Sequence, residues 1–328
     1  MIASAMSVEM PPEMRSALPV ENVEKRLTVR VPGSTANLGP GFDTLGLALK
    51  VHSWLDFAVM SSPTSDIPLF RQCGKIAEQL PSDKSNLIYK ILEKTVPDKN
   101  LLDRLRISVY SDIPLERVMG SSGSVIIGTI YAATLLNGKK PKIEEMLRQA
   151  SEFESHIDNL SASLMGGLVV SHKSESELIV DQITWPPSWR LLILVPSYSV
   201  STQKSRSVLP KSYERADVVE NLQRLALLTT AICKEDAQLF KRALQDKIHE
   251  PYRLSLIPEL GELRALLKDK PALGSALSGA GSAMLVIVEQ QHCPEILALL
   301  RKWSASHKTE IKIIEADVDT TGLTVVSS

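Results

Sequence analysis

The chain has 328 residues, 44% of them hydrophobic and 23% charged, the composition of a soluble globular protein with room for a large core or two domains. Its 37 basic and 38 acidic side chains leave a net charge of -1, so no general attraction to nucleic acid or an anionic membrane is expected, and the expected partner is a small molecule. Three widely separated cysteines, Cys73, Cys233 and Cys293, fit neither a disulfide framework nor a zinc site and point to a reducing, cytoplasmic compartment.

Residues 1–26 carry acids and prolines where a secretion signal would carry an apolar core, and they read as a mobile extension. Regular structure is expected from Leu27 to Val31, an alternating strand. The next stretch, 32–46, holds four glycines and two prolines and reads as a shaped loop presenting Asn37 and Asp43. Spacing alone leaves both side chains open between a ligand contact and an Asx turn. A strand follows over 47–60, with Trp54, Phe57 and Val59 as core, and a capped helix opens near Asn86.

The alternating strand 106–111 delivers the chain to a Ser- and Gly-rich segment, 114–124, that runs into the apolar stretch beginning at Val125. Small and hydroxylated residues opening a helix offer free N–H groups and the positive end of its dipole, which suits a phosphate; taken alone the segment fits a plain N-cap more readily. It has neither the Gly-Lys-Ser/Thr ending of a P-loop nor the G-x-G-x-x-G of a dinucleotide fold, and it fails the G-x-S-x-G of a serine hydrolase. A helix from 143 to about 155 ends with Glu154, where an acid is disfavoured by the dipole, and leads to His156, Asp158 and Asn159. No His spacing points to zinc, and His156 reads as an ordinary surface residue.

Trp185-Pro186-Pro187 marks a domain boundary, giving an N-terminal unit over 27–187 and a C-terminal unit over 188–328. The second unit opens with 191–195, a continuous apolar strand of the kind buried on both faces. A polar loop with Arg206 follows, then a helix over about 217–234 whose Val218, Leu222, Leu225, Leu228 and Ile232 are expected in the core. Arg253 comes next, then a helix at 258–267, a glycine turn at 275–283, a strand at 284–288, and a final helix and two strands, an α+β pattern without internal repeats. Backbone N–H groups, hydroxyls, carboxylates and arginines in separate clusters make an inventory suited to phosphoryl transfer. Ser122 and Glu154 can supply ligands to Mg²⁺, Asp158 can take or orient a proton, and Arg206 with Arg253 can clamp a carboxylate.

Six segments occur together in this order: Pro32 to Asp43, the loop ending Gly120-Ser121-Ser122-Gly123, His156 to Asn159, Ser201 to Arg206, His249 to Arg253, and Leu277 to Gly281. With them the chain resembles the GHMP small-molecule kinases, and among these the homoserine kinases. The resemblance implies an N-terminal domain like ribosomal S5 domain 2, a ferredoxin-like C-terminal domain, and transfer of a phosphoryl group from ATP to the side-chain hydroxyl of L-homoserine, a step towards threonine. It implies ATP on Arg117, Met119, Gly120, Ser121, Ser122, Gly123 and Ser124, with Asn86 near the nucleotide and Mg²⁺ at Ser122 and Glu154. It implies the amino acid at Asn37, Asp43, Asp158, Asn159, Arg206 and Arg253, with Asn37, Asp158 and Arg206 closest to the chemistry. A homodimer is compatible with this reading and not required by it. The alternatives are a kinase of the same fold for another alcohol, which would not need both arginines, and a non-catalytic relative, to which Val118 in the phosphate loop would be the clue.

Overall fold

The computed structural model describes residues 9–17, 21–63, 67–113 and 119–326. In chain order the elements are α1 (Pro12–Ala17), β1 (Val23–Ala36), β2 (Leu45–Met60), β3 (Phe70–Cys73), α2 (Gly74–Ala77), α3 (Leu87–Thr95), α4 (Lys99–Arg104), β4 (Leu105–Ser111), α5 (Ser121–Leu136), α6 (Ile143–Ala150), α7 (Asp158–Met165), β5 (Leu168–Lys173) and β6 (Leu178–Ile183). The second half holds β7 (Trp189–Pro196), α8 (Thr202–Ser207), α9 (Arg215–Cys233), α10 (Ala237–Ala243), α11 (Glu250–Arg253), α12 (Glu259–Leu267), β8 (Ala272–Leu277), β9 (Met284–Glu289), α13 (Cys293–Ala305), β10 (Ile311–Ala316) and β11 (Thr324–Val326).

Two sheets organise these elements. The first has the order β11-β1-β2-β4-β3, with β5 and β6 joined through β2, and only β3 and β4 run parallel. One face of this sheet packs against α3, α5, α6 and α7 around a core that includes Phe57, Ile88, Ile127 and Leu160. The second sheet has the order β10-β7-β9-β8. With helices between β7 and β8 and between β9 and β10, this is a ferredoxin-like βαββαβ unit.

The apolar run in β7 is buried on both faces, as its composition requires. Leu191, Ile193 and Val195 face one core with Leu228 and Phe240, while Leu192 and Leu194 face another with Leu260, Leu263 and Leu300. This alternation is the two-residue period of a strand.

Four expectations are corrected by the structure. Residues 32–36 belong to β1 despite their breakers, because Pro32 lies at a register shift where its missing N–H costs no ladder bond, and the shaped loop shrinks to 37–44. Residues 1–26 are not all extension: β1 starts at Val23, and α1 places a fully buried Met14 against Trp54 and Val326. The C-terminal unit is not self-contained, since β11 pairs with β1 and Val318 bridges to Leu49, returning the chain end to the first sheet. In α9, Leu228 and Ile232 are buried but Val218 and Leu222 are 36% and 61% exposed. The inward position in its first half belongs to Asn221, and the adjacent Leu222, about 100° round the helix, faces out.

The docking of α1 is testable. Met14→Ala should lower stability by roughly 2–3 kcal/mol, since it empties a buried apolar site. Urea unfolding measures this, and an unchanged midpoint would show that the helix does not cover Trp54 in solution.

Candidate active site

A cavity of about 940 Å³ opens between the N-terminus of α5, the loop 37–44, the start of α7 and the segments around Ser201 and Gly279. Its floor is the turn into α5. Gly120 is left-handed, with φ of 70°, and a Cβ there would lie 2.2 Å from Ser34 Oγ. Only glycine allows β1 to approach so closely while the chain turns into the helix. The Ser124 N–H already donates to the Gly120 carbonyl, at 2.8 Å, and no side chain caps the helix, so the N–H groups of Ser121, Ser122 and Gly123 are left for an anion. Gly120→Ala should therefore lower kcat/KM for the nucleotide by about tenfold or more, because both the φ and the Ser34 contact are violated; nucleotide titration and steady-state kinetics check it.

The same cavity has an apolar end and a charged end. Leu80, Pro81, Leu87, Ile88 and Val125 form the first. At the second, Asp43 and Arg206 form a bidentate pair with distances of 2.6 and 3.1 Å. Arg253, only 1% exposed, is held from behind: Nε donates to the Ser205 carbonyl and Nη1 to the Gly279 carbonyl and to His249 Nδ1. Its Nη2 makes no hydrogen bond among the described residues. Burial above all, then the like charge of Arg206, pulls the Arg253 guanidinium down to about 10.

Asp158 opens α7 against β2. Its carbonyl would lie 2.2 Å from a Cβ at position 46, so Gly46 is what lets the helix start so near the strand. Oδ1 accepts from the Asn159 N–H at 2.7 Å. Burial raises the Asp158 carboxyl to about 6, with neighbouring Asp43 adding to it and the Asn159 N–H, His156 and Arg206 opposing it. An acid that titrates near neutrality in a cleft has the electrostatics of a functional group.

The sequence-derived residues divide clearly. Asn37, Asp43, Asn86, Gly120, Ser121, Ser122, Gly123, Glu154, Asp158, Asn159, Arg206 and Arg253 all line this cavity. Met119 and Ser124 do not: Met119 is fully buried with its carbonyl on the Ser34 N–H, and Ser124 Oγ bonds the Ser121 carbonyl and Ser53. Arg117 and Val118 lie outside the described residues. Three lining side chains are occupied by the protein itself. Asn86 caps α3 and donates to the Pro81 carbonyl, Asn159 accepts from Ser34 Oγ, and Asn37 ties the Gly279 carbonyl to the Asp43 N–H. Asn37 thus sets the loop's shape, helped by Asn221 of α9, which donates to the Pro40 carbonyl.

His156 is more than the surface residue expected from sequence. It lines the cavity between Glu154, 3.2 Å from Nδ1, and Asp43, 3.9 Å from Nε2. Sequence reasoning also missed the apolar wall and the hydroxyls of Ser197 and Ser199, and it gave no role to Thr202 or buried His249 within their motif segments. Leu87 and Ile88 carry only the pattern of a helix stripe, so nothing local marks them as a cavity wall.

Against known proteins, a family model described as GHMP kinases N terminal domain matches residues 86–167, and one described as GHMP kinases C terminal matches 228–303. A homoserine kinase of Desulfitobacterium hafniense is 33% identical over 299 residues, covering 91% of this chain and 99% of that protein. The chain belongs to the GHMP kinase family. Within that family it is similar to homoserine kinases again in Synechocystis, at 32% identity over 91% of this chain and 97% of the relative. Among solved structures, homoserine kinase from Cytophaga hutchinsonii superposes with a TM-score of 0.79 at 24% identity, covering 94% of this chain and all of that one. Mevalonate diphosphate decarboxylase from Enterococcus faecalis superposes with 0.67 at 12% identity, covering 92% and 99%. The same fold thus occurs in proteins named for different chemistry, and the substrate has to be argued from the site.

Among the described residues no helix is long and apolar enough to cross a membrane, and no group of three or more His, Cys, Asp or Glu could hold a metal ion.

Proposed function

We propose that this GHMP kinase transfers the γ-phosphoryl group of ATP to the side-chain hydroxyl of L-homoserine, a step towards threonine. The observation that carries the reading is the joining, in one cavity, of the open N-terminus of α5 to a buried, rigidly held Arg253 beside Arg206. The first end suits phosphates and the second a carboxylate, and a substrate without an acid group would leave a desolvated guanidinium unused.

The apolar walls at Leu80, Leu87 and Val125 suit the adenine ring, and the N–H groups of Ser121, Ser122 and Gly123 suit the β- and γ-phosphates. Ser122 and Glu154, a hydroxyl and one carboxylate on the same cavity, fit Mg²⁺, which takes one or two protein oxygens and completes its shell with phosphate and water. When bound, the ion neutralises charge on the transferring phosphoryl group. Asp43 and Asp158 face the acceptor's ammonium and hydroxyl, and the carboxylate of Asp158 serves them only when ionised. In transfer, the hydroxyl oxygen bonds to the γ-phosphorus as its bond to ADP breaks, and the hydroxyl proton leaves through Asp158 or solvent.

A coupled ADP-release assay with homoserine, threonine, mevalonate and galactose tests the substrate. Homoserine should give the largest kcat/KM; turnover of another alcohol with none of homoserine would overturn the assignment. Ser122→Ala and Glu154→Gln should each lower kcat by about tenfold to a hundredfold and raise the Mg²⁺ concentration needed for half-maximal rate. A metal titration of the rate reads both effects.

A further inference from the structure

Arg206 and Arg253 are like charges at one end of the cavity: Asp43 pairs with the first, the Ser205 and Gly279 carbonyls and His249 hold the second, and one aromatic ring lies against both. Phe42, at the tip of the loop 37–44, lies behind the cavity and does not line it. Its ring stacks on the imidazole of His249, with centroids 4.9 Å apart and planes 19° from parallel. The guanidinium carbons of Arg206 and Arg253 lie 5.2 and 5.3 Å from the same ring centroid. One aromatic ring is therefore within cation–π range of both charges.

His249 completes the support. Its ring is fully buried; Nε2 donates to the Gly39 carbonyl at 2.9 Å, which leaves Nδ1 as the acceptor for Arg253 Nη1, also at 2.9 Å. Burial, with the charge of Arg253, pulls the imidazole down to about 4, so it stays neutral and keeps that acceptor. Asp246 in turn binds the backbone N–H groups of His249 and Glu250, and Glu250 pairs with Arg264 and accepts from the Leu277 N–H. The platform is anchored to both the α11 turn and β8.

We propose that Phe42, backed by neutral His249, is the positioning residue of the acceptor site: its ring holds Arg206 and Arg253 together as a two-pronged clamp for an α-amino acid carboxylate. This rests on the carboxylate reading given above. It also assigns a selectivity element to the loop 37–44. An acceptor lacking the carboxylate gains nothing from the platform, whereas the amino acid gains the contact of its carboxylate with the free Nη2 of Arg253 beside Arg206.

The test compares Phe42→Leu, Phe42→Tyr and Arg253→Ala by KM for homoserine, KM for ATP, and kcat/KM for 3-amino-1-propanol, the acceptor without its carboxylate. Phe42→Leu should raise the homoserine KM by about tenfold, the size a desolvated cation–π contact supports, with the ATP KM and the aminopropanol kcat/KM within about twofold of wild type. Phe42→Tyr, which keeps the ring, should restore the homoserine KM. An equal loss with both acceptors, a rise in the ATP KM, or no rescue by Tyr would overturn the platform, as would an unaltered homoserine KM in Phe42→Leu. If Arg253→Ala itself leaves the homoserine KM unchanged, the carboxylate reading fails first; if Arg253→Ala raises it and Phe42→Leu does not, the platform alone fails.

Discussion

Replacement of Arg253 by Ala is expected to raise the KM for homoserine by about a hundredfold, the equivalent of one or two charge-assisted hydrogen bonds, while the KM for ATP changes little. The asymmetry follows from the cavity. Arg253 stands at the end formed by Asp43, Arg206 and Gly279, and the N–H groups assigned to the phosphates belong to α5. Removal also leaves the Ser205 carbonyl and the Nδ1 of His249 without their donor and the Gly279 carbonyl with Asn37 alone, so the variant should be less stable as well. Kinetics are therefore to be read on protein whose folding has been checked by thermal unfolding. Arg253→Lys keeps the charge but loses the fork and should recover only part of the affinity. An equal rise in both KM values would place Arg253 in general support of the cavity instead of on the acceptor.

The second large effect concerns Asp158. Burial pushes its carboxyl up from the ordinary 3.8 to about 6, so lowering the pH through 6 protonates it. A protonated Asp158 can neither take a proton nor hold an ammonium. The expected result is an acid limb in kcat/KM for homoserine centred near pH 6, with activity rising above it. Asp158→Asn should lower kcat/KM by about 10²–10⁴ and remove that limb, the range spanned by loss of a positioned proton acceptor. A wild-type limb near pH 4 would show that burial does not raise this carboxyl, and a limb that persists in Asp158→Asn would assign it to another group, with Asp43 and His156 the nearest.

Much of this organisation is legible from the chain because it depends on local pattern. The run at 191–195 had to be buried on both sides, and the two cores that share β7 divide it residue by residue. The breakers at 32–36 misled because a strand tolerates Pro32 where its register shifts, a fact set by β2 and not by the strand itself. The α9 stripe failed for a related reason: Asn221 takes an inward position to hold the Pro40 carbonyl, and no hydrophobic period announces a buried polar anchor.

The site follows the same division. Arg206, Arg253 and Asp158 could be singled out from their motifs, and all three line the cavity. The polar atoms of Asn37, Asn86 and Asn159 turned out to be engaged by the protein, which only the folded neighbours decide. His249 and Phe42 became visible as a unit only when the loop 37–44 met α11 across more than 200 residues of sequence, as in the 210-residue separation of the His249–Gly39 bond.

The account is tested most directly by identifying the product. Incubation with ATP, Mg²⁺ and L-homoserine, followed by ³¹P NMR and mass spectrometry, should show stoichiometric ADP and a phosphate ester on the side-chain oxygen of the amino acid. ADP with free phosphate and unmodified homoserine, or phosphate on any other atom, would contradict it.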